Sequence, residues 1–134
     1  MKQVTDDNNC FACGMKNPVG LKLKFSFESD RAFSMVNIDS DYQGWQGIIH
    51  GGIISTMLDE AMVKAASGNN IACVTAEINV KFKKPCYTGK DYKLYGEIVE
   101  KKRNILFAEG RLEDNNGKIA AKAKGKLFIV DGLN

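Results

Sequence analysis

The residues best suited to chemistry stand where a loop gives way to a helix. His50, Gly51 and Gly52 precede apolar residues at 53, 54, 57, 58, 61, 62, 65 and 66, the three-and-four spacing of one helix face. The first N–H groups of a helix lack intrahelical partners and carry the positive end of its dipole. Glycines at 51 and 52 let another group approach the backbone, so the Gly51 N–H can act as an oxyanion donor to a carbonyl under attack. The plainer reading is a tight turn and nothing more. Asp59 follows His50 by nine residues, about two and a half turns along the same helix. A carboxylate there can activate water. Against this, the apolar stripe leaves 56, 59, 60, 63 and 67 on the opposite side, where Asp59 and its neighbour Glu60 would form an ordinary solvated face.

His50 is the only histidine in the chain, which argues against multi-histidine metal centres. No Gly-x-Ser-x-Gly elbow occurs, and no local spacing marks a serine or cysteine nucleophile, so water is the natural attacking group. A lone histidine also serves commonly as a hydrogen-bonded structural residue, and that alternative stays open. Of the four cysteines, Cys10 and Cys13 have the spacing of half a zinc site, but Cys73 and Cys86 do not supply a second close pair. No metal is therefore expected, with a metal-bound N-terminal interaction arm as a competing reading.

These residues must be held by a single domain. At 134 residues, 44% hydrophobic and 26% charged, the chain can bury a core without disulfides or metal. A net charge of +3 is too mild to indicate nucleic acid or an anionic membrane as principal partner. No apolar run approaches the roughly 18 residues of a spanning helix, and the polar start (Lys2, Thr5, Asp6, Asp7) lacks a signal-peptide centre. The expectation is a cytoplasmic protein with free thiols.

Along the chain, a polar arm over residues 1–20 ends near Asn17-Pro18-Val19-Gly20 and leads into a domain over 21–134. Period-two alternation predicts a strand over 21–27 and an antiparallel partner over 32–38, turned at 28–31. A helix follows from 52 or 53 to about 67, stopped by Gly68-Asn69-Asn70. Strands are then expected at 72–84, 91–101, 104–113 and 118–130, with Asp114-Asn115-Asn116-Gly117 as a turn. One helix must bury its stripe on something, so the reading is an α+β fold in which a long antiparallel sheet wraps the helix.

The run from Tyr42 to Met62, YQGWQGIIHGGIISTMLDEAM, resembles the signature of hotdog-fold acyl-CoA thioesterases, in the branch related to the 4-hydroxybenzoyl-CoA and phenylacetate-pathway enzymes. The similarity extends over about residues 20–130. Val74 to Pro85 looks like the strand after the hotdog helix, and Cys10 to Gly14 with Asn17-Pro18 and Gly20-Leu21 is similar to the arm of some members. The resemblance selects Asp59 over Glu60 and places Thr75 where related enzymes carry a catalytic Ser or Thr. It implies a homodimer or dimer of dimers, with His50 and Gly51 of one subunit facing Asp59 and Thr75 of another. Coenzyme A would enter as part of the substrate, with no separate cofactor. Gly52, Gln43, Trp45, Glu77 and Phe82 become substrate-binding candidates, as do Lys101, Arg103 and Asn104 at a basic turn suited to phosphates. The competing readings are core packing for Trp45 and a solvated hairpin tip for 101–104. Gln46 departs from the proline common before Gly47. A hotdog module that binds acyl-CoA without turnover is the rival to an enzyme.

Overall fold

The computed structural model describes residues 4–131. Its strands are β1 (Ser26–Glu28), β2 (Arg31–Asn37), β3 (Cys73–Phe82), β4 (Asp91–Lys102), β5 (Ile105–Glu113) and β6 (Ile119–Ile129), with one long helix, α1 (Gly51–Ser67), between β2 and β3. All neighbours pair antiparallel in the order β1-β2-β4-β5-β6-β3. This is the α+β hotdog architecture expected from the sequence. The crossover through α1 carries β3 past the meander to the far edge, where it pairs with β6 alone.

The alternation written in the strands decides which face meets the helix. Ala32, Ser34 and Val36 of β2 are buried while Phe33 and Met35 point outward, and β5 and β6 alternate in the same way. The inner face is covered by α1, whose stripe of Ile54, Met57, Leu58, Ala61, Met62, Ala65 and Ala66 is buried. Met57, Leu58 and Met62 are fully enclosed, each contributing about 1.5–3 kcal/mol of hydrophobic stabilisation. The helix sits close against β4. A Cβ built on Gly96 would lie 2.0 Å from the carbonyl oxygen of Ala61, and one on Gly125 would meet the Met62 sulfur at 2.9 Å. Glycine in a strand interior weakens the strand; Gly96 is where α1 comes down on β4 backbone to backbone, and Gly125 leaves room for the Met62 side chain.

The first strand is shorter than its alternation predicts. Leu21 and Leu23 donate their N–H groups to Phe11 and Ala12 carbonyls at 2.8 and 2.9 Å, and Lys22 takes a positive φ of 53°. Residues 21–23 are therefore engaged by the N-terminal arm and the regular pairing begins only at Ser26. The arm itself is fastened to the domain: the Tyr42 hydroxyl donates to the Val19 carbonyl at 2.6 Å, and Phe11 meets the Tyr42 ring edge-on.

Gly96→Ala should test the seating of α1. Because the obstruction is backbone and not a flexible side chain, the loss expected is at the upper end for overpacking, about 3 kcal/mol, read from equilibrium urea unfolding. A loss below 0.5 kcal/mol would show that the helix can lift off β4 freely.

Candidate active site

The loop entering α1 is a small antiparallel ladder. Gln43 bridges Ile49, Ile48 bridges Tyr87, and the Ile49 N–H donates to the Cys86 carbonyl at 2.8 Å. At its tip the Ile48 N–H closes on the Trp45 carbonyl at 2.9 Å, with Gly47 at φ +77°. A four-residue turn with positive φ only at its third residue is type II. Gln43 braces it by accepting the Gly47 N–H on Oε1 at 2.9 Å. Trp45 is 84% exposed at this tip, which removes the core-packing alternative.

His50 is the N-cap of α1, its φ and ψ of −57° and 134° turning the chain into the helix. Its Nδ1 accepts the Gly52 N–H at 2.8 Å, so a neutral ring carries its hydrogen on Nε2. The structural role foreseen for a lone histidine is therefore real. It satisfies one orphan donor of the first turn and leaves another: among the described residues nothing accepts from the Gly51 N–H. A side chain at Gly52 would crowd that ring, a Cβ falling 3.1 Å from Nδ1, so the imidazole would have to give by a few tenths of an ångström. Phe82 lies across the helix start, its ring edge 3.6 Å from the position of a Cβ on Gly51.

Asp59 sits on the half-buried flank of α1 and accepts the Thr75 hydroxyl on Oδ1 at 2.6 Å. It is thus an oriented carboxylate, not one freely bathed in solvent. A β-bulge makes this contact available. The pairing of β3 with β6 slips between Thr75 and Glu77, so Thr75 stands opposite buried Leu127 and Glu77 opposite exposed Lys126. Bulges re-aim side chains next to functional groups. Here Thr75 turns toward the helix, whereas Glu77 turns outward and pairs with Lys126 at 3.4 Å. Cys73 lies near both helix carboxylates, and burial followed by the charges of Asp59 and Glu60 pushes its thiol up to about 11. It stays protonated at neutral pH and does not compete as a nucleophile.

The structure gathers the sequence-derived residues into two groups. His50, Gly51, Gly52 and Phe82 surround the helix start, with Gln43 and Trp45 in the adjoining loop; Asp59 and Thr75 lie further along. Gly51 and Asp59 are separated by eight residues of α1, about 12 Å along its axis. No single carbonyl reaches both within one chain. Lys101, Arg103 and Asn104 form the exposed tip between β4 and β5. The Asn104 carbonyl accepts the Ile129 N–H, and Ile129 is opposite Cys73, so this basic tip belongs to the same end of the sheet as Thr75. One neighbour escaped the sequence reading: Glu60, set aside in favour of Asp59, approaches the Cys10 sulfur at 3.9 Å. The two are 50 residues apart, and no local pattern connects them.

The fold recurs in known proteins. The chain belongs to the thioesterase superfamily, whose family model matches residues 46–121. It is similar to a candidate esterase of Saccharolobus solfataricus, with 30% identity over 107 residues, 78% of this chain and 76% of the relative. Among solved structures, a thioesterase superfamily protein superimposes with a TM-score of 0.85 at 20% identity, covering 92% of this chain and 61% of its own. A Streptococcus mutans protein bound to acetyl-CoA gives 0.76 at 19% identity, covering 81% and 89%.

The type II turn offers a direct check on Gln46. That position is second in the turn, where proline's fixed φ is preferred, and its N–H makes no hydrogen bond among the described residues. Gln46→Pro should raise stability by about 0.4–1 kcal/mol in denaturant unfolding. A loss of stability would mean that the loop differs from this turn.

Proposed function

We propose that the protein is an acyl-CoA thioesterase, hydrolysing a thioester to a carboxylic acid and free coenzyme A. The observation that carries the reading is the division of a hydrolytic pair along one helix: an unclaimed amide at Gly51 and an oriented carboxylate at Asp59, too far apart to act together in one subunit. Membership of the thioesterase superfamily and the acetyl-CoA bound to a protein of similar fold support the substrate class.

A second copy completes the site. β3 is a ten-residue edge strand whose free backbone groups are a template for pairing, with Ile78 and Phe82 partly exposed on its inner face. Antiparallel self-pairing centred on Asn79 sets Ile78 opposite Val80 and, across the bulge, Thr75 of one copy opposite Phe82 of the other. Each helix start then faces the other copy's Asp59. The thioester carbonyl lies with its oxygen on the Gly51 N–H, aided by the helix dipole. Asp59, held by Thr75, takes a proton from water as it attacks the carbonyl carbon; the tetrahedral intermediate collapses with expulsion of the thiolate, which is protonated to free coenzyme A. His50 keeps the helix start in register and Phe82 walls the acyl side. Lys101, Arg103 and Asn104 at the Thr75 end suit the phosphates of the coenzyme. No cofactor is required beyond the substrate's own coenzyme.

Two variants test the halves of the machinery separately. Asp59→Asn should lower kcat by about 10²–10⁴ on an acyl-CoA panel. Gly51→Pro deletes only the donor, because proline is accepted at the first helical position and His50 already has the extended ψ required before it. It should cost about 10²–10³. Each alone retains about one per cent of wild-type turnover or less, but mixed dimers contain one intact site in each heterodimer and should recover about a quarter of it. A wild type inert on every acyl-CoA would favour the non-catalytic module, and no recovery on mixing would overturn the shared site.

A further inference from the structure

The N-terminal arm brings three metal-binding side chains together outside the proposed active site. The sulfur atoms of Cys10 and Cys13 and a carboxylate oxygen of Glu60 lie within 4.8 Å of one another, all half-buried. Glu60 projects from α1 and presents both oxygens to the Cys10 sulfur at 3.9 and 4.0 Å. Around a tetrahedral zinc ion, with Zn–S about 2.3 Å and Zn–O about 2.1 Å, sulfur and oxygen ligands stand about 3.6 Å apart. Closing onto an ion therefore takes movements of a few tenths of an ångström at this pair.

The arm is shaped around these sulfurs. The Cys10 carbonyl accepts the Gly14 N–H at 2.8 Å, and the Ala12 N–H donates to the Cys10 sulfur at 3.3 Å. A backbone donor to a ligating thiolate is the outer support that metal sites use to fix a ligand. Gly14 is compelled by the turn, since a Cβ there would fall 2.3 Å from the Cys10 nitrogen. Ala12 is buried, and its carbonyl and that of Phe11 tie the knuckle to Leu21 and Leu23. Lys64, one helical turn beyond Glu60, lies beside Cys13 and lines with Cys10 and Glu60 a surface groove of about 330 Å³. Two thiolates and a carboxylate around a divalent cation leave one negative charge, which the Lys64 ammonium offsets.

The geometry points to a zinc site formed by Cys10, Cys13 and Glu60, with the fourth position open to water from the groove. Two sulfurs and one oxygen select zinc over magnesium or calcium, which prefer oxygen alone. The ion would clamp the arm onto α1 one residue past Asp59. It supplies the ligand that chain spacing could not, because Glu60 joins the two cysteines only through the fold. The site is independent of the hydrolytic reading and is tested without measuring turnover.

Full-length protein, reduced and stripped of metal, should bind one zinc ion per chain by elemental analysis after dialysis. Cobalt should give visible d–d bands of tetrahedral type with a near-ultraviolet thiolate-to-metal band. Glu60→Gln should weaken zinc binding at least tenfold, since even outer-shell changes cost that much. The Cys10→Ser/Cys13→Ser double variant should lose stoichiometric binding while keeping the circular dichroism of metal-free wild type. Should the double variant fail to fold, the wild-type cobalt spectrum decides by itself. A folded, reduced wild type with no stoichiometric metal, or a cobalt complex lacking the thiolate band, overturns the site. Zinc affinity unchanged in Glu60→Gln overturns the third ligand.

Discussion

The depth at which α1 lies on the sheet governs nearly everything else in this molecule. Glycine on β4 beneath Ala61 leaves the helix almost in backbone contact with that strand, and glycine on β6 makes room for the Met62 side chain. From that height the Asp59 carboxylate reaches the Thr75 hydroxyl across a single hydrogen bond, and the Gly51 backbone comes under the Phe82 ring. A helix seated higher would lose both contacts together, because one rigid rod carries both residues. The small side chains at Ala61, Ala65 and Ala66 serve the same end: they contribute little burial individually, but they hold the rod at a fixed distance that larger residues would increase.

A second constraint follows from helix geometry. Placing the donor and the acid on one helix makes each rigid, yet separates them by more than any reacting group can span. In the functional reading proposed for this chain, catalysis is thereby tied to association, and the edge strand that would otherwise be an aggregation hazard becomes the joining surface. The same residue can then serve structure and chemistry at once. His50 satisfies the Gly52 N–H and, by doing so, leaves the Gly51 N–H as the amide turned outward.

Much of this arrangement was legible in the residues. The apolar stripe of α1 marked its length to within a residue or two, and the alternation of β2, β5 and β6 marked their inner faces, because both patterns are direct consequences of period and burial. The long motif around His50 marked the start of the helix, where His50 is the N-cap. What the chain did not disclose are the features that depend on contacts between distant segments. Residues 21–25 alternate like a strand, but the arm takes the hydrogen bonds of Leu21 and Leu23. Glu60 reads as a surface charge, but the arm folds over it. For Trp45, a substrate-binding candidate, core packing was the competing reading; the residue is exposed, because the turn closed by Gly47 carries it outward.

The bulge at Ala76 has a wider implication. Before it, Thr75 looks inward; after it, the inward positions are Ile78, Val80 and Phe82, while Glu77, Asn79 and Lys81 look outward opposite Lys126, Lys124 and Lys122. One continuous strand thus carries two interleaved codes, offset by a single step. Removing one residue there would exchange the polar and apolar sides of a whole stretch without altering composition. A survey of tolerated substitutions along β3 would accordingly show its rhythm break once, at the residue that neither points to the helix nor pairs with a neighbour.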